Sequence, residues 1–107
     1  VSATPEAKVK AKVKALLKAS GAYYVMPVTG GYGSSGAPDF LVCHKGNFIG
    51  IECKAGKGVM TALQMKNSYD ITNAGGAFFL ITDDPATLRM LETWLKIGND
   101  EEKEVPL

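Results

Sequence analysis

Apolar residues in the first segment recur at Val9, Val13, Leu16 and Leu17, inside about 100° of arc at 3.6 residues per turn. Lysine and alanine fill most positions between them. The pattern predicts an amphipathic helix that Thr4 caps, Pro5 opens and Gly21 stops. After Gly21 the periodicity changes: "AYYVMPV" reads as a strand, and "PDFLVCHK" and "NFIGIECKA" are two further β-type runs. Between them Gly46-Asn47 has the chemistry of a two-residue hairpin turn. "TALQMKNSYDITNAGG" reads as a helix closed by Gly75-Gly76, and "AFFLIT" as a buried strand. "DDPATLRMLETWLKIG" reads as a last helix, with Asp84 as cap, Pro85 at its start and Leu88, Leu91 and Leu95 on its inner stripe. The predicted order is α-β-β-β-α-β-α, an α/β arrangement without internal repeats. It fills one domain over residues 1–98, and the acidic segment 99–107 is expected to fray.

A chain of 107 residues has room for one hydrophobic core of ordinary size. No apolar run approaches the roughly 20 residues that span a bilayer, and the alanine- and lysine-rich start has no apolar signal core. Membrane insertion and secretion are therefore not expected. Cys43 and Cys53 make no disulfide framework, and each lies in an apolar β-type run where a reduced, buried thiol is the common outcome. The expected location is intracellular. The cysteines and His44 also lack the paired spacing of a zinc site. Net charge is only +1, but without the tail the chain has 11 basic and 7 acidic side chains. Lys8, Lys10, Lys12, Lys14 and Lys18 crowd the first helix, where a solvated face is the ordinary reading and a phosphate-facing one the alternative.

Gly31-Tyr32-Gly33-Ser34-Ser35-Gly36 spells G-x-G-x-x-G. A dinucleotide site needs a helix directly after these glycines, to hold the pyrophosphate at its N-terminus. Pro38 instead biases Ala37 away from helical geometry, and a β-type run follows. A P-loop fails as well: Gly50 and Gly56 are one residue too far apart, and Gly58 follows Lys57 where Ser or Thr should bind magnesium. No nucleotide cofactor is expected. The glycines read as a loop that delivers Asp39 to the start of a strand.

Side chains alternate along a strand, so Glu52 and Lys54 share a face. A Gly46-Asn47 turn sets Asp39 opposite Lys54, whereas a Lys45-Gly46 turn sets Asp39 opposite Glu52. Either two-residue register gathers Asp39, Glu52 and Lys54 on one face; a three-residue turn splits them. One reading of the cluster is a plain cross-strand ion pair. The other is catalytic. Two carboxylates this close repel unless a cation joins them, and hard oxygen ligands suit Mg²⁺ or Mn²⁺. Such an ion lowers the pKa of water and polarises a phosphoryl oxygen, while the lysine positions the attacking water and offsets transition-state charge. Gln64 falls on the apolar face of its helix, where a metal-bound water or a phosphate oxygen could satisfy it; a solvated helix edge is the alternative. Glu6 projects from the inward side of the first helix and could bring a third carboxylate, though a first-turn Glu commonly only complements the helix dipole.

Pro38-Asp39 followed by Glu52-Cys53-Lys54 resembles the PD-(D/E)xK nuclease signature. With a helix carrying Glu6, "GSSGAPD", "IECKAGKGVMT" and Gln64 in the next helix, the chain resembles the VRR-NUC family over Thr4 to Thr82, in its small stand-alone phage or bacterial form. The resemblance implies a restriction-endonuclease-like core, a mixed central sheet flanked by helices. It implies Mg²⁺- or Mn²⁺-dependent hydrolysis of DNA, selective for branched structures such as Holliday junctions. Asp39 and Glu52 would be catalytic metal ligands, Lys54 the catalytic lysine and Gln64 an accessory catalytic residue. Glu6 and the main-chain carbonyl of Cys53 would complete the metal shell. A homodimer would supply two active sites to a two-fold substrate. Tyr32, Ser34, Ser35 and Lys57 are candidate nucleic-acid contacts. The alternatives are a non-catalytic DNA-binding module of the same fold, or a nuclease directed at flaps or RNA.

Overall fold

A computed structural model of the chain describes residues 4–28 and 36–98. Tyr32, Ser34, Ser35 and the acidic tail lie outside these ranges. Helix α1 (Pro5–Ala19) begins as its sequence predicts: Thr4 Oγ1 accepts from the Ala7 N–H at 3.1 Å, and Pro5 sits at the first helical position. Val9, Val13 and Leu17 are buried along its stripe. Strand β1 (Tyr23–Val25) follows, then β2 (Phe40–His44) and β3 (Asn47–Cys53). Helix α2 (Ala62–Asn73) connects β3 to β4 (Ala77–Ile81), and α3 (Pro85–Thr93) runs on into a π-helical turn, Trp94–Gly98. The order is the expected α-β-β-β-α-β-α.

The four strands form one mixed sheet in the order β1-β2-β3-β4. The pairs β1–β2 and β2–β3 are antiparallel, and β4 is parallel to β3 with α2 as the crossover. Phe40, Val42, Ile49, Ile51, Cys53 and Ile81 share one face and pack with α1, Leu91 and Leu95. Phe79 also joins that side, edge-on to Trp94 with ring centroids 5.7 Å apart.

The second face carries α2, and Gly50 makes its close approach possible. A β-carbon at Gly50 would lie 2.7 Å from Ile71 Cδ1 and 3.1 Å from Pro38 Cγ. The last glycine of the G-x-G-x-x-G run has a similar role. Gly36 takes φ +72°, and a β-carbon there would stand 2.6 Å from the Leu63 backbone. It lets the chain pass against the start of α2 just before Asp39.

Three expectations need correction. The hairpin turn is Lys45-Gly46, not Gly46-Asn47, since Val42 pairs with Ile49 and His44 with Asn47. Both turn residues have positive φ, 50° and 85°, as a type I′ turn requires. Cys43 is exposed, because α2 packs over β3 and β4 and leaves the second face of β2 open. Strand β4 is an edge strand on which only Ile81 is fully buried; Leu80 retains 39% exposure. No helix among the described residues is long and apolar enough to cross a membrane.

Candidate active site

The register of the β2–β3 hairpin pairs Phe40 with Ile51, and one residue further it sets Asp39 against Glu52. Asp39 stands just before β2, where its Oδ2 accepts the Cys53 backbone N–H at 2.8 Å. Its Oδ1 lies 3.4 Å from Lys10 Nζ, and the same ammonium is 3.5 Å from Glu6 Oε2. Glu6 thus reaches Asp39 through Lys10. In the sequence this lysine belongs to a run for which a solvated helix face is the ordinary reading and a phosphate-facing one the alternative. Its four-residue spacing from Glu6 was the signal that separates it from the others.

Glu52 is 2% exposed, in register with Leu80 of β4. Its Oε2 is held on two sides, by the Lys54 ammonium at 3.7 Å and by the Gln64 Nε2, which donates at 3.1 Å. Its Oε1 is fully buried and has no hydrogen-bond partner. Burial pushes the Glu52 carboxyl up to about 7, the negative charge of Asp39 adds to the shift, and the Lys54 ammonium opposes it. The lysine is fixed in turn through its backbone, whose N–H donates to the Ile81 carbonyl at 3.0 Å. Beyond it Gly56 N–H donates to Asp83 Oδ2 at 3.2 Å, tying the following loop to the end of β4. Lys57 is exposed on that loop.

Gln64 is half-buried, and its partners are protein groups. It forms a capping box with Thr61: the Thr61 N–H donates to Gln64 Oε1 at 2.9 Å, and the Gln64 N–H donates to Thr61 Oγ1 at 3.1 Å. With Oε1 turned to the helix cap, Nε2 is directed at Glu52. One side chain therefore starts α2 and orients a buried carboxylate. The Cys53 side chain, by contrast, lies wholly in the core, and burial raises its thiol to about 12, which makes it a poor thiolate.

The structure brings together Asp39, Glu52, Lys54 and Gln64, with Glu6 one ion pair away and the Cys53 main chain alongside. No group of three or more His, Cys, Asp and Glu side chains is arranged to hold a metal ion among the described residues. The donor set fits a divalent cation on another ground. Two carboxyls crowd one another at the sheet end, and a buried carboxylate oxygen lacks the partner that such oxygens ordinarily have. A hard cation supported also by main-chain oxygen or water would satisfy both.

No sequence-family model and no curated protein matches the chain. Among solved structures, one described as "VRR_NUC domain" superposes with a TM-score of 0.71 at 22% identity, covering 86% of this chain and 99% of that one. Element order, the mixed four-stranded sheet and the flanking helices agree with the expectation from the PD-ExK signature. The chain has the fold of a VRR_NUC domain.

Proposed function

We propose that the protein is a Mg²⁺- or Mn²⁺-dependent endonuclease that hydrolyses phosphodiester bonds in DNA, with selectivity for branched structures such as Holliday junctions. The observation that supports it most directly is Glu52: a buried carboxyl with one orphaned oxygen, flanked by Asp39 and by the Lys54 ammonium. That combination is costly for a purely structural ion pair and suited to binding a cation.

In this reading Asp39, Glu52 and the main-chain carbonyl of Cys53 would hold the ion, with Glu6 as a further carboxylate beyond Lys10. The ion would supply a lowered pKa for water and a polarised phosphoryl oxygen. Lys54 orients the water for in-line attack and balances charge on the phosphorane-like transition state. Gln64 fixes the Glu52 carboxylate, and the Cys53 N–H fixes that of Asp39. Lys57, with Tyr32, Ser34 and Ser35, contacts the phosphate backbone. A homodimer presents two such sites to a two-fold junction, inside a bacterium or a phage-infected host.

The test is a cleavage panel of four-way, flap, nicked and linear DNA, with an RNA junction in parallel, with and without Mg²⁺ or Mn²⁺. Metal-dependent incision of the four-way junction, lost in Lys54→Ala, is the expected result. Failure of the wild-type protein to cut any DNA with either metal would overturn the proposal.

A further inference from the structure

On the side of α1 away from Asp39 lies a cleft of about 410 Å³, formed between α1, the end of β4 and the start of α3. Pro5, Pro85 and Leu88 give it an apolar wall above the buried Val9 and Ile81, and Lys8, Lys12 and Arg89 stand along its lining. None of these three cations forms an ion pair among the described residues. Of the two acids in the lining, Glu92 has its Oε2 3.5 Å from Lys96 Nζ, while Asp83 keeps its charge and accepts the neutral Gly56 N–H through Oδ2. The cleft therefore combines an apolar wall with three cations that outnumber the two acids beside them.

Its position is set by the helix. At about 100° per residue, Lys8 and Lys12 fall on one flank of α1, while Glu6 and Lys10 fall on the other, toward Asp39. One helix diameter, about 10 Å, separates the two flanks. The floor of the cleft is also continuous with the candidate active site: Ile81 accepts the Lys54 N–H, and Asp83 holds the loop that follows Lys54.

We infer that this cleft binds one unpaired nucleotide of the nucleic-acid substrate, with the base against Pro5, Pro85 and Leu88 and its flanking phosphates beside Lys8, Lys12 and Arg89. The inference deepens the nuclease reading and rests on it for the identity of the substrate. A duplex cannot deliver a base into such a cleft without unpairing it. A branch point or a single-stranded end can. The cleft would therefore favour substrates with unpaired nucleotides next to the scissile bond.

Binding is measured without catalysis, in EDTA, by fluorescence anisotropy of a short labelled oligothymidylate over a range of salt concentrations. The triple variant K8Q/K12Q/R89Q, which changes only exposed side chains, should bind at least roughly tenfold more weakly, with a log–log salt slope shallower by about 1.4 for the two phosphates that flank one nucleotide of a single strand. An oligomer with abasic positions should bind wild-type protein more weakly than the intact one. Amide NMR shifts on adding thymidine monophosphate should cluster at Val9, Thr82 and Leu88, and inorganic phosphate should not reproduce them. Unchanged affinity in the triple variant, indifference to the abasic positions, or shifts that phosphate alone reproduces would each overturn the inference. The two proposals fail separately. Metal-dependent cleavage with no cleft binding removes only the cleft, whereas cleft binding without cleavage of any DNA removes the nuclease.

Discussion

The Cys53 backbone N–H donates to Asp39 Oδ2 at 2.8 Å, so the residue just before β2 is locked to the residue that ends β3. The bond fixes one Asp39 oxygen and leaves the other near Lys10. It also lies one residue from both Glu52 and Lys54, so a shift in the hairpin register would disturb the whole cluster together.

Asp39→Asn keeps an oxygen acceptor for Cys53 and removes the charge. The variant should melt near the wild-type temperature and lose metal-dependent cleavage. Asp39→Ala loses the bond as well and should cost about 1.5–3 kcal/mol. Urea unfolding of the pair, beside a cleavage assay, separates charge from scaffold.

The carboxyl of Glu52 is raised to about 7 from a model-compound value of 4.5. The folded protein thus holds this proton more tightly than the unfolded chain does. Its contribution favours folding at low pH and is lost as pH rises from about 4.5 through 7. Without divalent ions, thermal stability should fall between pH 5 and pH 8, and Glu52→Gln should flatten that fall. Mn²⁺ should stabilise the wild type more at pH 8 than at pH 5 and have little effect on Glu52→Gln; scanning fluorimetry reads all of these.

Thr61→Ala and Gln64→Ala both break the capping box, at about 1 kcal/mol each. Only Gln64→Ala also removes the donor to Glu52. Both should lower the melting temperature to a similar degree, while Gln64→Ala alone lowers the cleavage rate. Equal rates in the two variants would limit Gln64 to helix capping.

Gly50→Ala places a methyl 2.7 Å from Ile71 Cδ1 and 3.3 Å from Phe78 Cδ1, on both sides of the α2 interface. Overpacking of this kind costs about 1–3 kcal/mol. Because α2 carries Gln64, the variant should also weaken cleavage. A double variant with Ile71→Val should recover part of the lost stability.

The helices were legible because Val9, Val13 and Leu17, and likewise Leu91 and Leu95, repeat at helical spacing between strong caps. The gathering of Asp39, Glu52 and Lys54 on one face was legible for a different reason. Sliding the hairpin from Gly46-Asn47 to Lys45-Gly46 moves each cross-strand partner by two positions, and alternation returns the same residues to the same side. That same symmetry hid the register, since both alignments bury Phe40, Val42, Ile49 and Ile51. Lys45 at φ 50° is a conformation that a non-glycine residue adopts seldom, and nothing local to the sequence announces it. Cys43 was misjudged because its exposure depends on how far α2 extends across the sheet, a property of tertiary packing. Lys10 stands among four other lysines of α1: its four-residue spacing from Glu6 marks it in the sequence, whereas its pairing with Asp39 depends on the tertiary fold.

Asp39, Glu52 and Lys54 all belong to one uninterrupted stretch, the hairpin and its two flanks. The contacts among them close short loops, which form at little entropic cost and ahead of long-range docking. These three charged groups are therefore carried as a cassette of local topology, to which α1 adds Glu6 and α2 adds Gln64. Rearrangements that leave this cassette whole, such as circular permutation within the π-helical end or lengthening of the α1–β1 connection, should spare its geometry, whereas a cut at the Lys45-Gly46 turn divides it.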